Sequence, residues 1–191
     1  MAFEGRTPAA AVQLFCDHLN RLLNTTLTRA RLGFAGEPGH RAVVDIRLKE
    51  GVDSFVGLKT AGYGLVFLQL AQLVTTEAVG RRRHQLRTVR YRYSLSGDPE
   101  HDALVRWDYS HEQEHGFKPW CRHHIQGSLE VRLPGGVAHL NEFHLPTGYV
   151  VIEDIVRFCI VDLGVKPLSQ DWDDILRESS RTLRAGLATG L

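Results

Sequence analysis

Seven of the ten histidines lie between His101 and His144, and the run from Arg90 to His124, RYRYSLSGDPEHDALVRWDYSHEQEHGFKPWCRHH, also carries Arg106 and Asp108 two residues apart. Histidine has the side-chain pKa closest to neutrality. Imidazoles crowded beside a carboxylate and a guanidinium therefore suit proton transfer or metal ligation.

Metal-free cleavage of RNA needs one group to take the 2′-hydroxyl proton, a second to protonate the leaving oxygen and a cation to hold the phosphate. His111 or His115 with His123 or His124 fits the first two roles, and Arg106, Lys118 or Arg122 fits the third, with Asp108 as the fixed carboxylate. The basic stretch containing Arg83, Arg87, Arg90 and Arg92 alternates with Tyr91 and Tyr93, which suits phosphate contacts and base stacking on single-stranded RNA. The plainer account of this stretch is a solvated hairpin end. Likewise Arg106 with Asp108 has a plain account as a satisfied structural ion pair.

For metal, His111 and His115 are four residues apart, as on one helical face, and Asp108, Glu112 or Glu114 would be adequate co-ligands. The H-E-x-x-H arrangement is missing, so neither a metal nor any other cofactor is expected. No phosphate-binding glycine loop or G-x-S-x-G elbow follows a strand pattern. His139, Glu142 and His144 read as loop residues that order the start of the helix after Pro146.

These residues need a scaffold. Thr7-Pro8 is an N-cap followed by proline at the first helical position, and apolar residues recur at helical spacing to Leu23, with His18 as a packed histidine on the apolar side. Ala42 to Leu48 alternates as a strand, and Leu65 to Val74 reads as a buried strand between turn signals. Gln85 to Leu95 and Ala103 to Tyr109 form a hairpin around Ser96-Gly97-Asp98-Pro99, and His124 to Val131 gives a further strand. The period then changes to helical over Ile152 to Leu163 and again after Asp171.

The expected fold class is α+β: a curved, mostly antiparallel sheet of four to six strands with one N-terminal helix and two C-terminal helices. A chain of 191 residues with 43% hydrophobic content suits a single domain, with a core over about residues 7–185 and a helical extension from about residue 150. A net charge of +1 gives no global field for nucleic acid, so any such binding rests on a local patch. Three dispersed cysteines fit free thiols. With no signal-peptide pattern and no long apolar run, the expectation is a cytoplasmic protein that does not engage membranes.

Tyr91-x-Tyr93, Arg106-Trp107-Asp108, His111, Pro119 and the doublet His123-His124 follow one another in an order that resembles the TumE-type toxins of bacterial toxin-antitoxin pairs. The likeness covers roughly residues 40–130, with Tyr109 where that family has Asn and an adjacent rather than alternating histidine pair. It implies a small α+β protein of a toxin or defence module acting on nucleic acid, with Arg106, Asp108, His111, His123 and His124 at the matched positions. RNA and a protein partner, an antitoxin or defence-complex subunit, are the partners implied. Two other readings stand beside a metal-independent ribonuclease. One is a metal-dependent hydrolase. The other is a non-enzymatic interaction protein or homodimer, with Phe158 and Val161 of the apolar helix as its docking surface.

Overall fold

The computed structural model of the protein describes residues 3–49, 54–110, 121–142 and 144–187, with side chains of the last helix described to Thr182. His111, His115, Lys118, Glu112 and Glu114 lie outside the described residues.

Thr7 accepts the Ala10 N–H on its hydroxyl oxygen at 3.1 Å and Pro8 opens α1 (Pro8–Thr26), which buries Ala11, Val12, Phe15, Leu19, Leu22 and Leu23 along one face. The strands are β1 (Glu4–Gly5), β2 (Leu32–Ala35), β3 (Val44–Leu48), β4 (Phe55–Lys59), β5 (Leu65–Gly80), β6 (Arg83–Ser96), β7 (Val105–Ser110), β8 (His123–Gln126), β9 (Glu130–Leu133), β10 (Gly136–His139) and β11 (Leu145–Pro146). Two helices end the chain, α2 (Ile152–Val161) and α3 (Trp172–Leu187).

Nine strands form one open antiparallel sheet in the order β11-β8-β7-β6-β5-β3-β2, with β1 added to β6 and β4 to β5; β9 and β10 make a separate hairpin. The α+β class and the placement of the three helices are as the sequence predicts, whereas the sheet is larger than the four to six strands expected. The additions are β4 and the two-residue β1 and β11, too brief or irregular to show a period, while β2 lies at the end of residues 26–34, whose alternation permits a strand. The expected strand from His124 to Val131 is in fact two. β8 stops at Gln126, and β9 begins at Glu130 in the other sheet.

β5 and β6 form the spine. Their hairpin turns at Arg81-Arg82, where Arg82 takes a left-handed conformation with φ 59°. Even-numbered β5 residues Val66, Leu68, Leu70 and Val74 join Ile46, Leu48, Tyr93, Leu95 and Trp107 in one core with α1 and with Ile155, Val156 and Cys159 of α2. Odd-numbered residues point to the opposite face. There Leu65, Phe67 and Leu73 take no part in the core.

The three helices are joined by a buried polar chain: His18 of α1 meets the Ser179 hydroxyl of α3 at 2.8 Å, and Ser179 donates to the Glu153 carboxylate of α2. His18 is thus the packed histidine its helical position suggests. Gly164, at φ 67°, ends the α2 region where a Cβ would come within 2.7 Å of Ala61 Cβ. Cys16, Cys121 and Cys159 are buried and no disulfide joins them, and no described helix is long and apolar enough to cross a membrane.

Candidate functional site

Two transverse rows of side chains build the site. The ladder aligns Arg92 of β6 with Asp108 of β7 and His124 of β8, and in the next row aligns Ser94, Arg106 and Gln126. Side chains opposite one another in a ladder share a face, so these six project together on the side away from the helices. Tyr91, Tyr93, Trp107, Tyr109 and His123, one residue out of step, project into the helix side.

On the open face Asp108 is the centre. Its Oδ1 accepts from Arg92 Nε at 3.0 Å, and its Oδ2 accepts from Arg106 Nε at 2.5 Å and from the Gln126 amide at 2.9 Å. Burial alone would push the Asp108 carboxyl up, but Arg106, Arg92 and Gln126 together outweigh it and hold the group below the usual carboxylate range. The carboxylate side chain is 12% exposed, against 50% for Arg92 and 30% for Arg106. A buried anion thus fixes two arginines whose heads reach solvent. Both use Nε, and among the described residues their terminal nitrogens bond no acceptor.

His124 stands beside this cluster with Nε2 at 4.0 Å from Asp108 Oδ2. Its Nδ1 lies 3.1 Å from the Cys121 carbonyl, which assigns the proton to Nδ1. Nε2 is then an acceptor and takes the second N–H of the Gln126 amide at 3.1 Å. Burial lowers the His124 pKa more than Asp108 and the Cys121 carbonyl raise it, so the neutral ring is favoured. The exposed His144 ring lies against it, with centroids 4.6 Å apart.

His123 does different work. Its ring stacks on Tyr109 with centroids 4.3 Å apart and an interplanar angle of 6°. Its Nδ1 lies 3.1 Å from the Tyr91 hydroxyl, whose oxygen accepts the Val150 N–H at 3.1 Å. Tyr91 therefore donates to His123 and anchors the approach to α2. Burial, then the neighbouring His124 and Arg122, lowers the His123 pKa.

Of the six residues expected to catalyse, Arg106, Asp108 and His124 come together, His123 is separated from them by the thickness of the sheet, and His111 and His115 are outside the described residues. The nucleic-acid patch requires correction. Tyr91 and Tyr93 are 0% and 2% exposed, stacked on each other beneath the sheet, and Tyr93 donates to Gln72 at 3.0 Å, so neither ring presents a face to a base. Arg83 pairs with Glu4 and Arg87 with Glu77 along the hairpin. Arg90 and Arg92 share the open face with Asp108. Phe158, expected on a docking surface, packs edge-on against Trp107 at 5.6 Å, leaving Val161 as the exposed member of that pair.

Gln126 and His144 were not legible as site residues. Gln126 has no reactive side chain, and its period-two spacing from His124 is the only signal for it. His144 is carried in by β11, where Leu145 pairs with Ile125 and Pro146 with His124. Among the described residues no group of three or more His, Cys, Asp or Glu converges as a metal cradle. No protein-family model, curated protein or solved structure matches the chain.

Proposed function

We propose that the protein is an RNA-cleaving enzyme of the toxin type, working without a metal through Arg92, Arg106, Asp108, His124 and His144. The observation that carries this reading is the Asp108 clamp, which holds two guanidiniums by Nε with the His124 Nε2 4.0 Å from the same carboxylate. Terminal guanidinium nitrogens match phosphate oxygens in geometry and charge. The resemblance around Arg106-Trp107-Asp108 and His123-His124 supports the toxin assignment.

In this mechanism Arg92 and Arg106 grip the scissile phosphate. The substrate 2′-hydroxyl displaces the Gln126 amide from His124 Nε2 and gives its proton to that nitrogen. The 2′-oxygen forms a bond to phosphorus and the bond from phosphorus to the 5′-oxygen breaks. His144, as imidazolium, supplies the proton that the leaving oxygen takes up. The products are a 2′,3′-cyclic phosphate and a free 5′-hydroxyl. The two rings touch, so the phosphate seats across their outer edges against the arginine pair. Asp108 keeps the guanidiniums aimed as charge grows on the phosphate.

The test is incubation of purified protein with end-labelled RNA in chelator from pH 5 to 8. Cyclic-phosphate products that vanish in His124→Ala are expected, and intact RNA throughout that range would overturn the reading. A second reading draws on the bonds at both His124 ring nitrogens. With the ring so engaged, the clamp holds a phosphate-bearing partner without chemistry, and RNA would be retained uncut.

A further inference from the structure

Beside the clamp, the open sheet face carries aromatic rings with no part in the core. The row that holds Ser94, Arg106 and Gln126 continues across β5 and β4 to Gln69 and Phe55. The next row brings Gly57, Phe67 and Ser96 together. Both phenylalanines are half-buried and lie outside the core cluster, and Phe67 leans over Gly57, where its ring would be 3.8 Å from an added Cβ. The closer neighbour of that Cβ is Leu65, whose Cδ1 would lie 3.3 Å away and which is itself exposed on this face. The row of the clamp itself runs on through Ala71 to Arg47, and the row beyond it holds Asp45, Leu73 and Arg90.

We propose that this face is a platform for single-stranded RNA, with bases stacked on Phe67 and Phe55 and the backbone led to Arg92 and Arg106. The proposal rests on the RNA reading above and adds to it where the bases sit. At the clamp two guanidiniums, Arg92 and Arg106, meet one carboxylate, Asp108, and both reach solvent, so this part of the surface complements a phosphate backbone. Phe67 and Arg106 lie two strands and one row apart, a Cα separation of about 12 Å by ladder geometry, within reach of adjoining nucleotides given the length of an arginine side chain. Stacking on sheet aromatics beside phosphate-binding arginines is the general chemistry of single-strand recognition. Polar and charged side chains (Gln69, Ser94, Arg106 and Gln126) fill the row that Phe55 opens, which makes the face a poorer match for a wholly apolar protein surface.

The experiment uses the full chain, fluorescence anisotropy and a short labelled 2′-O-methyl oligoribonucleotide, which cannot be cut by 2′-hydroxyl attack. A matching abasic oligomer keeps the phosphates and lacks the bases. The wild type should bind the base-bearing strand more tightly. Phe67→Leu, which keeps apolar volume and removes the aromatic face, should weaken that binding roughly tenfold and leave the abasic strand unaffected. Arg92→Gln should weaken both. Equal affinity of the wild type for the two strands, or unchanged affinity in the Phe55→Leu/Phe67→Leu double variant, would overturn the platform. So would self-association of the wild type that Phe67→Leu abolishes with RNA affinity unaltered. Base-dependent binding with no cleavage of ordinary RNA would instead remove the catalytic reading and leave the platform standing.

Discussion

Asp108 binds Arg92 through one carboxylate oxygen and Arg106 through the other, and in both cases the donor is Nε. A side-on grip of this kind orients the guanidinium planes while keeping their terminal nitrogens for a third party. Asp108→Asn keeps the shape but removes the charge, so two arginines face each other across a neutral amide. Because both heads reach solvent, the cost should be modest, about 1–2 kcal/mol in urea denaturation. Cleavage should fall much further than stability. A variant with wild-type cleavage would show that Asp108 does not align the pair.

Adjacent histidines should separate cleanly by role. His124→Ala is expected to lower kcat/KM by about a hundredfold or more with little change in melting, since Gln126 keeps its bond to Asp108. His123→Ala removes the stack on Tyr109 and the acceptor for Tyr91, at about 1–3 kcal/mol, with cleavage per folded molecule retained. Melting curves beside single-turnover rates distinguish the two, and the opposite pattern would place chemistry on the helix side of the sheet.

Much of this arrangement was readable because a strand has period two. In RYRY the arginines and tyrosines must lie on opposite faces, so Arg90 and Arg92 could never have shared a binding surface with Tyr91 and Tyr93. The same rule divides His123 from His124. It does not say which face the helices cover, and the tyrosines proved to be the buried set. Register was also beyond reach: β6 and β7 are joined by residues 97–104, too long a connection to fix the pairing of Arg92 with Asp108. His144 comes from a two-residue edge strand, which has no period at all.

Removing the Tyr91 hydroxyl should reveal what it holds. In Tyr91→Phe the Val150 N–H and His123 Nδ1 both lose their partner in a buried setting, at about 1–3 kcal/mol. Amide exchange should quicken at Val150 and Val151, just before α2. Unchanged exchange there would show that Asp154, which accepts the Val151 N–H at 3.1 Å, fixes this end of α2 alone.

Acid should destabilise the protein in two stages. His18, His123 and His124 all have pKa values lowered chiefly by burial, so the unfolded chain binds protons first as pH falls below about 6.5. Their contribution is complete above that value and is lost as pH drops through the folded pKa values. Asp108 is also lowered, and its contribution is present above about 3.9 and lost below, through its own folded pKa. Urea midpoints measured from pH 8 to 3 should show both declines. His123→Phe should shrink the first. For cleavage, His124 as base places the acid limb of kcat/KM below about 6.5; a limb above that value would name another base.

The position that holds Gln126 in reach of Asp108 is the glycine after it. At Gly127 a Cβ would lie 2.2 Å from the Leu104 carbonyl oxygen and 2.9 Å from Val105 Cα, so the obstacle is backbone and cannot rotate away. Gly127→Ala must therefore push β8 from the start of β7, at about 1–3 kcal/mol. Moving β8 draws Gln126 off Asp108 and His124, so phosphate binding and cleavage should weaken together with stability. Gly135→Ala, in the hairpin turn where a Cβ would meet nothing within 4 Å, serves as the control and should stay within about 0.5 kcal/mol of wild type. Equal melting temperatures for the two variants would mean that the close approach of Gly127 to β7 does not govern the site.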